Sequence, residues 1–97
     1  MKDIIKQMNK AFDSRIRLGI MAILLKEDWV DFKAFKERLG VTDGNLASHM
    51  ASLERKAFVR VKKQFIGKRP NTSYQVTERG KEAFSHYLKA LKKLLSI

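Results

Sequence analysis

Apolar residues recur along the chain in two different periods, and the change from one to the other divides it. Ile4, Ile5, Met8 and Phe12 fall at helical spacing and predict an amphipathic N-terminal helix. Asp13 or Ser14 either caps a second helix or merely interrupts the first. Ile16, Ile20, Ile23 and Leu24 then follow the i, i+4, i+7, i+8 order of a buried stripe. Asp31 reads as the N-cap of a short helix with Phe32, Phe35 and Leu39 on one face, and Gly40 closes it. One residue later Thr42 caps the next helix, whose inward positions are Leu46, Met50 and Leu53. At Phe58 the period drops to two. Val59 and Val61 alternate with Arg60 and Lys62, and Tyr74 and Val76 alternate with Ser73, Gln75 and Thr77, so two strands are expected. Gly67 and Pro70 bracket the turn between them, predicted as a long basic loop with Lys68 and Arg69 at its tip. Thr77 caps a last helix that carries Phe84, Tyr87, Leu88, Leu91, Leu94 and Leu95.

Charge narrows the partners. The 97 residues hold 21 Lys and Arg against 10 Asp and Glu, a net charge of +11, which points to polyanions, nucleic acid first and acidic membrane surfaces second. Most of the excess lies in residues 55–71, where Arg55, Lys56, Arg60, Lys62, Lys63, Lys68 and Arg69 are accompanied by no acid. Residues 41–54, by contrast, carry only Asp43 and Glu54 as charges. With no cysteine there is no disulfide and no thiolate metal site. No run of eighteen apolar residues would span a membrane, and the start of the chain lacks a signal peptide's apolar core, so a cytoplasmic setting is expected. No Gly-rich phosphate loop, Ser-His-Asp arrangement or carboxylate pair is present, so neither catalysis nor a cofactor is expected. His49 and His86 lack the convergent partners a metal needs.

The element order is thus three helices, strand, basic loop, strand, helix. Two short helices across a tight Gly-containing turn form a helix-turn-helix, and the hairpin after it forms a wing. The residues concerned are Arg15-Ile16-Arg17-Leu18 with Ile20-Met21, and Val41-Thr42-Asp43-Gly44-Asn45-Leu46-Ala47-Ser48-His49-Met50 with Leu53-Glu54. Gly67-Lys68-Arg69-Pro70-Asn71-Thr72 and Val76-Thr77-Glu78-Arg79-Gly80 complete the set. In these the chain resembles the small stand-alone winged-helix regulators of the MarR/ArsR-like superfamily, over roughly residues 10–90. The resemblance implies a mainly α fold with a small β-hairpin, a winged helix-turn-helix with N- and C-terminal dimerisation helices. It implies one domain over residues 1–97, with the helix-turn-helix at about 31–56, the wing at about 58–77 and the last helix at about 78–96. Two positions depart from the pattern: Ala47 stands where a serine is common, and Asn71 where a third basic residue is common.

The site follows from helical geometry. If Leu46, Met50 and Leu53 point inward, the 100° step leaves Gly44, Asn45, Ser48, Ala51, Ser52 and Arg55 outward, with His49 on the flank. Small polar side chains let a helix approach base edges in a major groove about 12 Å wide. Asn45 offers adenine a donor and an acceptor, Ser48 and Ser52 bond bases or phosphates, and Gly44 with Thr42 opens the helix N-terminus to a phosphate. His49 either donates to a phosphate or closes the helix–helix turn. A surface helix without such a role would favour Glu, Lys and Gln over Asn and Ser. In the wing, Arg60, Lys62 and Lys63 are assigned to phosphates, and Lys68, Arg69 and Asn71 to the tip that enters the minor groove. A solubilising charged hairpin is the plainer alternative, but it does not require seven basic residues without one acid. Arg15 and Arg17 are either backbone contacts or ordinary surface charges. Trp29 and the phenylalanines at core periods are read as packing.

The terminal helices present more apolar surface than so small a core can cover. Ile4, Ile5, Met8, Phe12, Tyr87, Leu88, Leu91, Leu94 and Leu95 are therefore assigned to a homodimer interface, where the resembling family pairs its first and last helices. Reading the last helix as a membrane-surface helix instead leaves the helix-turn-helix unexplained. The expected function is sequence-specific double-stranded DNA binding as a homodimeric transcriptional regulator. A winged-helix protein-interaction module and an RNA-binding domain are the alternatives. No small-molecule effector is evident.

Overall fold

The computed structural model describes residues 1–96. Helix α1 spans Lys2–Gln7 and a single 3-10 turn spans Lys10–Phe12. Then follow α2 (Arg15–Lys26), β1 (Val30–Asp31), α3 (Phe32–Leu39), α4 (Asp43–Arg55), β2 (Val59–Ile66), β3 (Arg69–Val76) and α5 (Glu78–Leu95). Local chemistry sets most of these limits. Ser14, Asp31, Thr42 and Thr77 each accept a backbone N–H from the first turn of α2, α3, α4 and α5, which satisfies donors the helix itself leaves free. Ser14, rather than Asp13, is thus the cap of α2. Gly40 ends α3 at φ 64°, in the left-handed region.

The N-terminal helix is shorter than its apolar spacing predicts. Met8 is extended, and Asn9 starts the 3-10 turn by accepting the Ala11 N–H on its side chain. This break turns Phe12 out of the α1 stripe and into the centre of the protomer, where it has no exposed surface. Its ring stacks on Phe58 at 5.5 Å and meets Phe84 and Tyr87 edge-on at 5.1 and 5.4 Å. The assignment of Phe12 and Tyr87 to a dimer surface is corrected accordingly: both are core residues of one protomer. Met8 and Leu91 also pack against this core, from its margin. Helix α1 lies against α5, and the two together form one edge of the molecule.

The sheet has three antiparallel strands in the order β1-β3-β2. The sequence pattern predicts only the hairpin. The extra strand is two residues long, with Val30 opposite Tyr74 and Asp31 opposite Ser73, too short to show a period. The hairpin is also tighter than predicted. Its strands pair from Val59 and Val76 out to Ile66 and Arg69, leaving only Gly67 and Lys68 in the turn. Gly67 at φ 64° supplies the positive φ that a two-residue hairpin turn needs at its first central position. Arg69 and Pro70 are strand residues, not loop residues. Proline is tolerated there because β1 pairs β3 only at residues 73–74, so at Pro70 one edge of β3 is open.

The wing leaves the body from a rigid junction. Helix α4 ends in paired bonds, Ala57 N–H to Glu54 O and Phe58 N–H to Leu53 O, with Ala57 in the left-handed conformation at φ 60° where glycine is usual. The Thr77 hydroxyl donates to the Ala57 carbonyl at 2.6 Å, and the Thr77 N–H donates to Phe58 O at 3.0 Å. Gly80 completes the junction, because a Cβ there would lie well under 3.0 Å from the Phe58 carbonyl oxygen and against Val76. Gly80→Ala is therefore expected to cost about 1–3 kcal/mol by overpacking against backbone that cannot move aside. The loss should appear as a drop in Tm of roughly 4–8 °C per kcal/mol in thermal unfolding followed by circular dichroism.

Candidate nucleic-acid interface

Burial of Leu46, Met50 and Leu53 orients α4. Thr42, Gly44, Asn45, Ala47, Ser48 and Arg55 are exposed, while His49, Ala51 and Ser52 are half-buried. The open surface is thus weighted toward the N-terminal half of the helix, and Ser52 contributes less than its helical angle suggests. A side chain added at Gly44 would meet nothing within 4 Å, so this position is open to an approaching surface. The Thr42 hydroxyl accepts the Asn45 N–H at 3.2 Å and so holds the first turn on which Asn45 stands. Asp43, an acid at the same end, is paired with Lys36 of α3 at 2.8 Å. Arg15 and Arg38 share a cleft with Thr42 and Asn45 beside this N-terminus; Arg38 is paired with Glu27 at 2.6 Å, which leaves Arg15 as the cleft's cation without an acid partner among the described residues.

His49 is engaged from behind. Nη1 of Arg17 lies 2.9 Å from His49 Nδ1, and Nε of Arg17 donates to the Ala11 carbonyl. A guanidinium has donors and no acceptor, so Nδ1 must accept and the proton must sit on Nε2. Burial pushes the imidazole pKa below its ordinary value, and the Arg17 charge pushes it the same way. His49 is therefore a neutral donor on the flank of the α4 face. Arg17, which the sequence leaves between a backbone contact and a surface charge, is a strut between the N-terminal turn and α4.

In the wing, Arg60, Lys63, Lys68 and Arg69 are exposed. Lys62 is exposed too, with its ammonium 4.4 Å above the centre of the Trp29 ring. Trp29 is only half-buried and so is a platform for a wing lysine more than a core residue. Asn71 is half-buried and stands within β3 opposite Gln64, where its Oδ1 accepts the Ser73 hydroxyl at 2.9 Å, so it is not at the tip. The tip holds two residues that the charge analysis passes over: Phe65 and Ile66, 74% and 61% exposed. Arg79, part of the resembling motif, has a role that spacing does not reveal. It donates to the Lys56 carbonyl at 3.0 Å and lies over the Phe58 ring, which ties α5 to the end of α4.

A family model described as the winged helix DNA-binding domain matches residues 16–95. The chain belongs to that winged-helix family. A protein of Methanocaldococcus jannaschii is 39% identical over 79 residues, 81% of this chain and 86% of its own length. The solved structure of a transcriptional regulator homologue from Pyrococcus horikoshii is 35% identical, with a TM-score of 0.84 over 98% of this chain and 92% of that one. MarR, at 18% identity, matches in fold with a TM-score of 0.76 over 93% of this chain and 65% of its own. The winged helix-turn-helix fold therefore holds, MarR is similar in fold, and the family match supports a DNA-binding domain. Among the described residues no helix is long and apolar enough to cross a membrane.

The Arg17 strut makes a pH prediction. The His49 pKa in the folded winged helix lies below the ordinary 6.5, so as pH falls below about 6.5 the unfolded chain takes up its proton first. The stability contributed by neutral His49 is complete above that pH and declines as pH falls toward the folded value. Imidazole nitrogen shifts in an NMR titration should show the Nε2–H form with a low midpoint. In Arg17→Met the midpoint should rise. An ordinary midpoint that Arg17→Met leaves unchanged would remove the strut.

Proposed function

We propose that this winged helix is a sequence-specific double-stranded DNA-binding transcriptional regulator that acts as a homodimer in the cytoplasm. In this reading α4 lies in the major groove and the wing lies on the adjacent minor groove or backbone. One observation carries it. A small, open face of α4, with Asn45 and Ser48 exposed and Arg55 its one charge, sits beside a hairpin whose exposed charges are all basic. Such a pairing suits reading by one element and holding by the other. A protein-interaction module does not require either feature.

The duplex experiment separates the two roles. A dimer that neutralises about 6–10 phosphates should lose roughly 10³–10⁵-fold in affinity between about 50 and 200 mM salt. Asn45→Ala should cost about 1–3 kcal/mol on the preferred site and much less on a scrambled one. Arg69→Ala should weaken both duplexes and reduce the salt slope by about one unit per protomer. A flat salt response, or equal losses for Asn45→Ala on both duplexes, would sink the reading.

The dimer surface is narrower than the apolar stripes suggest. With Phe12 and Tyr87 in the core, the exposed members are Ile5, Leu88 and Leu95, with Ile4, Met8, Leu91 and Leu94 half-buried around them. Leu88 and Leu95 are seven positions apart on α5, on one line of the helix. A second copy docked on this edge would form a two-fold pair, and its recognition helices would address half-sites about one helical turn apart. Replacing both Leu88 and Leu95 by Glu should leave the fold intact and convert a sedimenting dimer to monomers with much weaker operator binding. A wild-type chain that is monomeric at micromolar concentration would exclude the dimer.

A further inference from the structure

The wing tip is apolar as well as basic, and the apolar part has no partner within the protomer. Phe65 is 74% exposed and Ile66 is 61% exposed, beside a turn of only two residues. Strand alternation sends them to opposite faces of the ribbon, Phe65 with Pro70 across from it and Ile66 with Arg69 across from it. Val61 is the last residue of β2 that packs on the core, so the tip extends about 17 Å past the last core contact. The projecting wing contributes to a long molecule, 52 × 25 × 22 Å.

Local packing does not account for these side chains. A cross-strand Phe–Pro pair stabilises a hairpin end modestly, but a ring that is 74% exposed is barely covered by its neighbour. Polar residues would serve a hairpin end that meets only solvent, and Lys or Arg alone would serve one that meets only phosphate. The surroundings select the occupant. Lys63, Lys68 and Arg69 flank the pair, and residues 55–71 contain no acid, so the tip attracts a polyanion and repels a second copy of itself. Proteins that bind the minor groove use this combination: cations on the phosphates and an apolar side chain pushed into a base step, which unstacks the step and kinks the duplex by about 20–90°.

We propose that the wing is a minor-groove wedge, with Phe65 entering a base step from one face of the ribbon, Ile66 lying against the groove from the other, and Lys63, Lys68 and Arg69 gripping the phosphates on either side. This rests on the DNA-binding reading above and adds a mechanical role to it. The recognition helix reads the groove, and the wing bends the duplex. The preferred step under the wing is then TA or CA/TG, which unstack most easily, so base preference arises where no hydrogen bond reads a base.

The test uses the full chain and duplexes selected by it from random sequence. One set carries 2-aminopurine at the step beneath the wing, and a second carries fluorophores at both ends for energy transfer. Binding should raise the 2-aminopurine signal and shorten the end-to-end distance. Phe65→Ser with Ile66→Ser should fold normally, since both positions are exposed. It should bind roughly tenfold to a hundredfold more weakly, and abolish both signals. Phe65→Leu, still apolar, should keep most of both. Wild-type protein that binds while the duplex stays straight and stacked would overturn the wedge and leave the regulator reading intact. Wild-type protein that binds no duplex would overturn both. The wedge would also fall if the double Ser variant bent DNA normally but lost binding to phosphatidylserine vesicles, or bent DNA normally but lost self-association.

Discussion

The exposed face of α4 takes its direction from the burial of three side chains. Leu46, Met50 and Leu53 of α4 are 0, 1 and 0% exposed, and burying residues of this kind stabilises by about 1.5–3 kcal/mol each. Rotating α4 by one residue would lift all three from the core. The outward face is therefore fixed with no direct restraint on any residue in it. That freedom explains its composition. Gly44, Asn45 and Ser48 are weaker helix formers, and the helix can carry them because its inward stripe and its caps hold it in place.

The same helix is held at three places by side chains from distant segments. Near its middle, Arg17 reaches His49 from α2 while also binding the Ala11 carbonyl. At its C-terminus, Thr77 and Arg79 bind the carbonyls of Ala57 and Lys56. The Phe58 ring beyond it stacks on Phe12. The N-terminal turn, the recognition helix, the start of the wing and the start of α5 thus meet in one packed cluster. Left-handed Ala57 fits this account: the conformation costs about 1–2 kcal/mol for a residue with a Cβ, and the surrounding bonds hold it there. Phe12 is the point at which the N-terminal turn, the start of the wing and α5 touch one another.

Much of this was legible in the sequence, because helices and caps write themselves locally. The stripes of α2 to α5 and the caps at Asp31, Thr42 and Thr77 follow from spacing and residue type alone. What escaped depends on interruption or on distance. A continuous helical period from Ile4 to Phe12 conceals the extended residue at Met8, and with it the inward turn of Phe12. β1 is two residues long and is defined by its partner in β3. Pro70 reads as a loop signal because its strand context, an open edge, exists only once the sheet is built. The Arg17–His49 and Lys62–Trp29 pairs join residues 32 and 33 positions apart, and no local pattern marks them. Phe65 and Ile66 were visible as apolar residues in a basic stretch. Their exposure at the hairpin end follows from the two-residue turn, which no local pattern marks.

The distribution of charge across the interface follows from these contacts. Burial first and the Arg17 charge second hold the His49 pKa down, and Lys36 pairs with the acid at the start of α4, so the exposed N-terminal half of the helix presents dipoles more than net charge. The exposed cations around the α4 face are those of the wing and Arg15 at its edge, with Arg38 there paired to Glu27. Charge acts over about 8–10 Å at ordinary salt and does not distinguish one base from another. A hydrogen bond, such as the one proposed from Asn45, acts over about 3 Å and does distinguish them. In the proposed reading, placing cations on a projecting ribbon and uncharged donors on α4 lets long-range attraction bring the duplex in without blurring the short-range contacts that select it. A cation in the middle of the α4 face would grip any sequence and so reduce the difference in affinity on which specificity rests.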